Sequence, residues 1–221
     1  RVAEIFAYLD DAEPYLKELP IESAAKIVSE MDSDDAVDVL EEMDATTKHK
    51  IVGMLDKEAS EDVRLLFSYD EDEIGSRMTT NFIMIHNNLT IRQAMRELIE
   101  QAGENDNIST IYVIDDEDKF YGTIDLKDLI IEREYTDLEA LISHSYPYVK
   151  DHEKVADCIE QIKDYAEDSI PVLQEDGTIA GIITSQDIVE AVDDEMGEDY
   201  AKLAGLTAEE DLNEKLAESV K

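Results

Sequence analysis

The first third of the chain carries apolar residues at a period of twelve. Two series show this period: Ile27, Val39, Ile51 and Val63 form the first, and Leu19, Met31, Met43, Leu55 and Phe67 form the second. Twelve residues suffice for one short helix and its turn, but such a helix cannot bury its apolar face alone. The period therefore predicts that residues 1–68 form short helices stacked into an all-α superhelical repeat domain.

An aspartate stands one position after three members of the second series, at Asp32, Asp44 and Asp56. The carboxylate of an aspartate just before a helix accepts hydrogen bonds from the free amides of the first turn. We therefore expect these three residues to be the N-caps of successive helices.

The pattern of the chain changes after the acidic segment Tyr69–Gly75. Short β-rich runs then alternate with amphipathic stretches, and the order β-α-β-β-α occurs twice. The predicted strands are Phe82–His86, Thr110–Ile114, Tyr121–Ile124, Tyr146–Val149, Ile170–Leu173 and Ile179–Ile183. The predicted helices are Thr90–Ala102, Leu126–Glu132, Val155–Tyr165 and one that starts at Thr184.

These patterns predict an α+β multidomain protein. The helical-repeat domain occupies residues 1–68, and the two β-α-β-β-α units occupy residues 69–135 and 136–192. Residues 193–221 are expected to form a C-terminal connecting helix and the start of a further segment. Because the sequence begins at Arg1 inside a predicted helix, we expect the chain to be a fragment of a longer protein.

The net charge of −38, from 57 acidic and 19 basic side chains, limits the possible partners. Nucleic acids and anionic membrane surfaces attract Lys and Arg, so neither is expected to bind here. Cations are the natural partners, although acids that only confer solubility or adaptation to high salt would give the same total. No apolar run approaches the roughly eighteen residues that a membrane-spanning helix needs.

Two acidic stripes on predicted helices lack neighbouring bases. On the last helix, one side carries Asp187, Glu190, Asp194 and Glu198. A second stripe, near the start of the helix after Asp32, consists of Asp34, Asp38 and Glu41. No Lys or Arg occurs in residues 27–47 or 164–201. Two such stripes are best explained if they face each other across cations, and oxygen ligands without Cys or His select Mg²⁺ or Ca²⁺. No loop has the spacing of an EF-hand, and dispersed carboxylates on rigid helices, each giving one or two ligands with water completing the shell, suit Mg²⁺ better.

Two related stretches, Ile111–Leu129 and Ile170–Ile188, each contain an apolar strand, an acidic turn and then Gly-x-Ile. This unit resembles the CBS domain, here in the tandem arrangement called a Bateman module. In the second copy, Thr184 is placed to cap a helix and Asp187 lies in its first turn, where the helix dipole favours an acid. In many CBS domains these two positions hold a nucleotide ribose, but a capping box that binds nothing explains them equally well.

The ordered combination of domains resembles the cytosolic region of the MgtE family of magnesium transporters and channels. The resemblance rests on the helical array, the junction Tyr69–Thr79, the CBS pair and the tail Glu198–Leu206. It implies a homodimer formed through the CBS domains, in the cytoplasmic portion of an inner-membrane protein whose own transmembrane pore domain lies outside this sequence. It also implies that bound Mg²⁺ holds the pore closed and that loss of Mg²⁺ loosens the assembly.

The resemblance also implies a set of metal ligands. Carried over by position, they are Asp34, Asp38, Asp187, Glu190, Glu195, Glu198 and Asp199. Asp34 is expected to approach Asp187, bridged by Mg²⁺. Ala166 departs from the family pattern, which has an acid at that position, so a neighbour such as Asp164, Glu167 or Asp168 would have to supply the ligand.

Some members of the family bind ATP in the CBS cleft, and the resemblance places Lys127, Asp128 and Pro171 there. Asp125 replaces the usual Ser or Thr and would repel phosphate. Two alternatives to Mg²⁺ sensing therefore stay open: a nucleotide-binding CBS regulatory module of another protein, and a helical scaffold whose acids only solubilise it. No enzyme is expected, because the sequence has no nucleophile beside a base and no Gly-rich phosphate loop.

Overall fold

The computed structural model describes residues 2–7, 9, 12–103, 105–133, 135–162 and 167–189. A helical N domain comes first and is followed by two small α/β units, each built on a three-stranded sheet. The predicted α+β class, an all-α repeat domain followed by two similar α/β units, is confirmed. The predicted C-terminal helix of residues 193–221 lies outside the described residues.

The N domain is built from short helices whose order follows the predicted repeat. They are α1 (Val2–Ala7), α2 (Glu13–Glu18), α3 (Ile21–Ser29), α4 (Ser33–Glu41), α5 (Ala45–Val52) and α6 (Lys57–Leu66). The first residues of α3 to α6 are spaced twelve apart, as the sequence period predicts. Val39, Ile51 and Val63 of the first apolar series are buried in the core, whereas Ile27 is only partly covered.

The three aspartates predicted to be N-caps behave differently. Asp44 accepts hydrogen bonds from the amides of Thr46 and Thr47, both at 3.1 Å, and Asp56 accepts one from the amide of Ala59 at 3.0 Å. Asp32 occupies the N-cap position of α4, but its side chain makes no capping bond to the described residues. The N-cap position is therefore confirmed for all three residues, but Asp32 makes no side-chain cap because its carboxylate bonds to Asn81 instead.

The two α/β units repeat one topology, and we label them CBS1 and CBS2 after the domain that their sequences resemble. CBS1 contains β1 (Ile83–His86), α7 (Ile91–Gln101), β2 (Thr110–Ile114), β3 (Phe120–Asp125) and α8 (Leu126–Ile131). CBS2 contains β4 (Val149–Lys150), α9 (Val155–Ile162), β5 (Ser169–Leu173) and β6 (Ile179–Thr184), and residues 185–189 begin a further helix. In each sheet the first strand is parallel to the second, which is antiparallel to the third. Short 3₁₀ turns at Ile74–Arg77 and Leu138–Leu141 precede the two units.

Strand β4 is shorter than the predicted strand Tyr146–Val149 and begins later. It pairs with β5 only at Val149 and Lys150. The side chain of Tyr146 reaches β5 instead, where its hydroxyl donates to the carbonyl oxygen of Ser169 at 2.8 Å. The sequence pattern alone could not show that Tyr146 contacts β5 through its side chain and not through backbone pairing.

Each sheet also pairs with the segment that leads into the other unit. Thr79, ahead of β1, pairs with Ile182 of β6, and Ser143, ahead of β4, pairs with Thr123 of β3. A Cβ atom at Gly181 would lie 2.8 Å from the carbonyl oxygen of Thr79. The glycine of the second Gly-x-Ile motif therefore permits the close approach of the incoming chain.

The N domain shares its apolar core with CBS2 and not with CBS1. One cluster of buried side chains contains N-domain residues such as Leu40, the junction residues Ile74 and Met78, and CBS2 residues such as Ile183. The core of CBS1 is a separate cluster. Within the described residues, none of the helices is both long and apolar enough to cross a membrane.

Candidate cation site

An acidic cavity of about 510 Å³ opens where the N domain meets the two CBS units. Among its described lining residues, eight carry carboxylates and none is Lys, Arg or His. The acids are Glu30, Asp32, Asp34, Asp35, Asp38, Asp106, Asp168 and Asp187. Hydroxyl and amide side chains complete the wall, including those of Thr79, Asn107, Ser109, Thr110, Ser169 and Thr184. The carboxylate, hydroxyl and amide side chains of the wall can all offer oxygen atoms to a metal, and oxygen ligands suit a hard cation.

Helix α4 brings Asp34 to the cavity. The helix begins at Ser33, so Asp34 lies in the first turn, where the helix dipole favours a negative charge. Its Oδ1 atom is fully buried and has no hydrogen-bond partner in the described part of the chain. A buried carboxylate oxygen without a donor costs free energy, so the folded chain leaves this atom in need of a proton or a cation.

The pKa of Asp34 reflects this environment. Burial raises the pKa of its carboxyl group to about 8, and the negative charges of Asp187, Asp35 and Asp32 add to the effect in that order. Near neutral pH, and without a cation, the group is therefore mostly protonated. A cation beside it would favour the ionised form and bring the pKa down again.

Asp187 comes from the opposite side of the cavity, at the end of CBS2. The amide of Thr184 donates to Asp187 Oδ2 at 2.7 Å, and the amide of Asp187 donates to Thr184 Oγ1 at 3.3 Å. The predicted capping box is thus formed. The same carboxylate lines the cavity and acts electrostatically on Asp34, so capping and cation binding are not exclusive roles for Asp187.

Asp32 lies beside Asp34 and bonds across the domain boundary. Its Oδ1 atom accepts a hydrogen bond of 2.6 Å from Nδ2 of Asn81, which precedes β1. Burial raises the pKa of Asp32, the bond from Asn81 opposes this rise, and the charge of Asp106 adds to it. The start of α4 is therefore fixed to CBS1 as well as facing CBS2.

The structure brings three of the predicted metal ligands together and leaves four untested. Asp34, Asp38 and Asp187 line one cavity. The other predicted ligands lie outside the described residues: Glu190, Glu195, Glu198 and Asp199. Within the described residues, no group of three or more His, Cys, Asp or Glu side chains is arranged closely enough to hold a metal ion unaided.

Sequence patterns missed part of the cavity wall. Asp106 belongs to a polar loop between α7 and β2, and nothing in its local sequence indicates that it faces the N domain. Asp168 was only one of three candidates to replace the acid missing at Ala166, and it does line the cavity. Asp38 also lines a second, smaller cavity of about 170 Å³ together with Glu41 and Arg77, so a base from the domain junction lies near the α4 stripe.

The residues predicted to hold a nucleotide are placed differently. Lys127 and Asp128 are exposed in the first turn of α8, and Pro171 is buried in β5. Asp125 caps α8, because its Oδ1 atom accepts a hydrogen bond from the amide of Lys127 at 2.7 Å. The carboxylate therefore occupies the helix start at which a phosphate would otherwise find free amides.

Comparison with protein families supports the division of the chain. The model of the MgtE intracellular N domain matches residues 1–72, and the CBS domain model matches residues 72–134 and 138–194. The magnesium transporter MgtE of Enterococcus faecalis is 34% identical over 153 residues, which cover 69% of this chain and 34% of that protein. The MgtE of Bacillus subtilis is 33% identical over 184 residues, which cover 82% and 40%. The chain thus spans well under half the length of these relatives.

Two solved structures have a similar fold. The crystal structure of the soluble part of a magnesium transporter superposes with a TM-score of 0.82 at 32% identity, covering 88% of this chain and 77% of that one. The cytosolic domain of the Mg²⁺ channel MgtE, crystallised in complex with ATP, superposes with a TM-score of 0.78 at 28% identity, covering 85% and 78%. The arrangement of the N domain on the CBS pair is therefore shared with these proteins.

Proposed function

Because the chain belongs to the MgtE family, with that family's N domain and a CBS pair, we propose that it is the Mg²⁺-sensing cytosolic part of a magnesium channel or transporter. Mg²⁺ bound between the N domain and CBS2 would hold the assembly in its closed state. The names of the relatives support magnesium as the ion.

One observation carries this proposal. Asp34 and Asp187 belong to different domains and line the same cavity, and the pKa of Asp34 is raised first by burial and then by the charge of Asp187. When Asp34 is ionised, the two negative charges repel each other across the domain boundary. An oxygen-binding cation would turn this repulsion into attraction between the domains.

The residues of the chain perform distinct parts of this mechanism. Bound Mg²⁺ would supply positive charge and accept oxygen ligands, with water completing its shell. Asp34 would present its carboxylate from the N domain, and Asp187, fixed by its capping bonds to Thr184, would present a carboxylate from CBS2. Because Asp187 stands near the start of the helix at 185–189, a change at the cavity would reach the connecting helix that follows.

The remaining ligands and partners belong to the same proposal. Glu190, Glu195, Glu198 and Asp199 would extend the set of ligands along the connecting helix toward a transmembrane pore domain. A homodimer through the CBS domains is supported by exposed apolar side chains on α7 and α8, which pack against each other: Ile99, Ile130 and Ile131 are each more than half exposed.

A nucleotide is the second candidate ligand. It is supported by the similar MgtE cytosolic domain that was crystallised with ATP. The site would use Lys127, Asp128 and Pro171, although the capping role of Asp125 and the excess of acids oppose a phosphate group. Calorimetric titration with ATP tests this directly, and an Asp125→Thr variant should bind ATP more tightly than the wild type.

Limited proteolysis across a series of Mg²⁺ concentrations tests the main proposal. The segment 69–81, which contains the junction and leads to β1, should become protected from cleavage as the Mg²⁺ concentration rises. KCl at matched ionic strength should give no protection. Equal protection by the two salts would mean that the acids respond to ionic strength alone, and the proposed sensing function would then be wrong.

A further inference from the structure

Asp32 differs from the two aspartates that occupy the same place in the helical repeat. Asp44 and Asp56 cap their own helices, at α5 and α6. The Asp32 carboxylate instead accepts a hydrogen bond of 2.6 Å from the side-chain amide of Asn81. Helix α4 therefore lacks the side-chain cap that α5 and α6 have, and the Asp32 carboxylate makes a short bond to CBS1 instead.

Asn81 uses its side chain and its carbonyl group to join α4 to a loop of CBS1. Its Nδ2 atom donates to Asp32, and its Oδ1 atom accepts a bond of 2.7 Å from the amide of Asp106. Its backbone carbonyl accepts a bond of 2.8 Å from Nδ2 of Asn107. Both Asp106 and Asn107 line the acidic cavity, so Asn81 links two parts of the cavity wall.

The residue before Asn81 adds a second link to the same helix start. The amide of Thr80 donates to Ser33 Oγ at 3.0 Å, and Thr80 Oγ1 lies 3.2 Å from that same atom. Ser33 is the first residue of α4 and is buried. The two residues that immediately precede Asp34 are thus both bonded to the segment that leads into β1.

We propose that Asn81 is a positioning residue for the cation site. It lines the neighbouring cavity of about 530 Å³ behind the α4 start, and it acts on the cation through Asp32 and Asp34. By holding the beginning of α4 against CBS1, it keeps Asp34 at the wall of the acidic cavity before a cation binds. This role rests on the proposed Mg²⁺ site, but the docking of α4 on CBS1 can be measured without metal.

The geometry calls for one donor and one acceptor between positions 81 and 32. Asn81→Ala removes the donor and leaves Asp32 without its partner. The double exchange Asn81→Asp with Asp32→Asn restores a donor and an acceptor in reversed order and keeps the net charge. Asn88→Ala is the matched control, because Asn88 makes a similar bond of 2.8 Å to Asp116 on the surface of CBS1, away from the cavity.

Two measurements on the 221-residue chain test the proposal. Calorimetry should show Mg²⁺ affinity about tenfold weaker in Asn81→Ala, which corresponds to about 1.4 kcal/mol, and close to wild type in the double exchange and in Asn88→Ala. Hydrogen exchange followed by mass spectrometry, without metal, should show faster exchange of the amides of Thr80 and Asp106 in Asn81→Ala. In the double variant, Asn81→Asp with Asp32→Asn, these two amides should again be protected from hydrogen exchange.

Three results would overturn the positioning role. The first is that Asn81→Ala binds Mg²⁺ with wild-type affinity. The second is that the double variant, Asn81→Asp with Asp32→Asn, binds Mg²⁺ as weakly as Asn81→Ala does. The third is unchanged exchange at Thr80 and Asp106 in Asn81→Ala. If the wild-type chain itself bound no Mg²⁺, the proposed function would fail, and hydrogen exchange alone would decide whether Asn81 docks α4 on CBS1.

Discussion

Asp34 of the N domain and Asp187 of CBS2 line the same cavity, and the charge of Asp187 adds to the rise that burial causes in the pKa of Asp34. The described side chains that line this cavity include no Lys, Arg or His. When Asp34 is ionised, the metal-free protein therefore holds two facing negative charges between domains that share one apolar core.

Removing the Asp34 charge should stabilise the metal-free protein. At pH 8.5, where the Asp34 carboxyl is largely ionised, Asp34→Asn should raise the free energy of unfolding in EDTA by about 1–2 kcal/mol, because a buried unpartnered charge is removed. The same variant should lose most of the stabilisation that Mg²⁺ gives the wild type. Urea denaturation with and without Mg²⁺ measures both effects.

Asp44→Asn provides the control for this experiment. Asp44 caps α5, and asparagine caps a helix about as well as aspartate. Because Asp44 Oδ2 also accepts a hydrogen bond of 2.7 Å from Thr47 Oγ1, stability should fall by no more than about 1 kcal/mol. Its Mg²⁺ response should be intact. A lower stability of Asp34→Asn in EDTA would contradict the repulsion between the two charges and would leave Asp34 as a structural residue of α4.

Binding of Mg²⁺ should release protons near neutral pH. The pKa of Asp34, about 8 without a cation, means that the folded chain holds a proton which a bound cation drives off. Calorimetry at pH 7 in two buffers of different ionisation enthalpy should show release of about one proton per site. Apparent affinity should rise with pH up to about 8 and then level off.

The same pKa fixes the sign of a pH effect on the metal-free protein. The folded-state pKa lies above the ordinary value of 3.8, so the folded chain binds more protons than the unfolded chain between about pH 4 and pH 8. The contribution of Asp34 to stability therefore falls as pH rises through this window. If the buffer-corrected heats show no proton release on Mg²⁺ binding, Asp34 is not the ligand.

A histidine at the domain junction should give a pH effect that is independent of the cation. His152 Nδ1 lies 3.1 Å from Glu73 Oε1, its ring packs edge-on against Tyr69, and Asp151 and Glu175 add negative charge. The hydrogen bond to Glu73, followed by these charges, raises the pKa of His152. Its stabilising contribution is therefore complete below about pH 6.5 and is lost as pH rises through the higher folded-state pKa.

Comparison of His152→Ala with the wild type isolates this effect. The difference in melting temperature between the two proteins in EDTA should be largest near pH 6 and should shrink by pH 9. A difference that is constant over this range would mean that the ring stabilises the junction by packing on Tyr69 alone.

The close approach of Thr79 to Gly181 predicts a strong effect of a single methyl group. In Gly181→Ala the new Cβ would lie 2.7 Å from Met78 Sδ and 2.8 Å from the Thr79 carbonyl oxygen, so the backbone must shift. We expect a loss of about 1–3 kcal/mol in urea denaturation. Gly103→Ala is the control, because no described atom lies within 4 Å of its added Cβ, and its stability should change by less than about 0.5 kcal/mol.

Much of the fold could be predicted from the sequence because its signals are local. The period of twelve fixed the spacing of α3 to α6, and the strand pattern located β2 and β5 to within a residue. Contacts between domains were harder, because they depend on packing that no local pattern encodes. Asp32 has the same sequence context as Asp44 and Asp56, yet only the placement of Asn81 explains why its side chain leaves its helix.

Only part of the candidate site could likewise be predicted from the sequence. The lack of bases near Asp34 and Asp187 could be recognised from the sequence, and both residues line the acidic cavity. The contribution of Asp106 could not be recognised from the sequence, since this residue belongs to a loop whose polar composition is equally typical of solvent-exposed turns. Which acids of the connecting helix join the site is still a prediction, because Glu190, Glu195, Glu198 and Asp199 lie outside the described residues.

A double-mutant cycle on Mg²⁺ affinity tests most directly whether Asp34 and Asp187 share one cation. Asparagine at position 187 can still accept the bond from Thr184, so both single variants and the double variant should remain folded. If one ion bridges the two carboxylates, calorimetry should show that the double variant binds Mg²⁺ about as weakly as the weaker single variant, with a coupling of at least about 1 kcal/mol. Additivity of the two effects to within about 0.3 kcal/mol would contradict a shared cation.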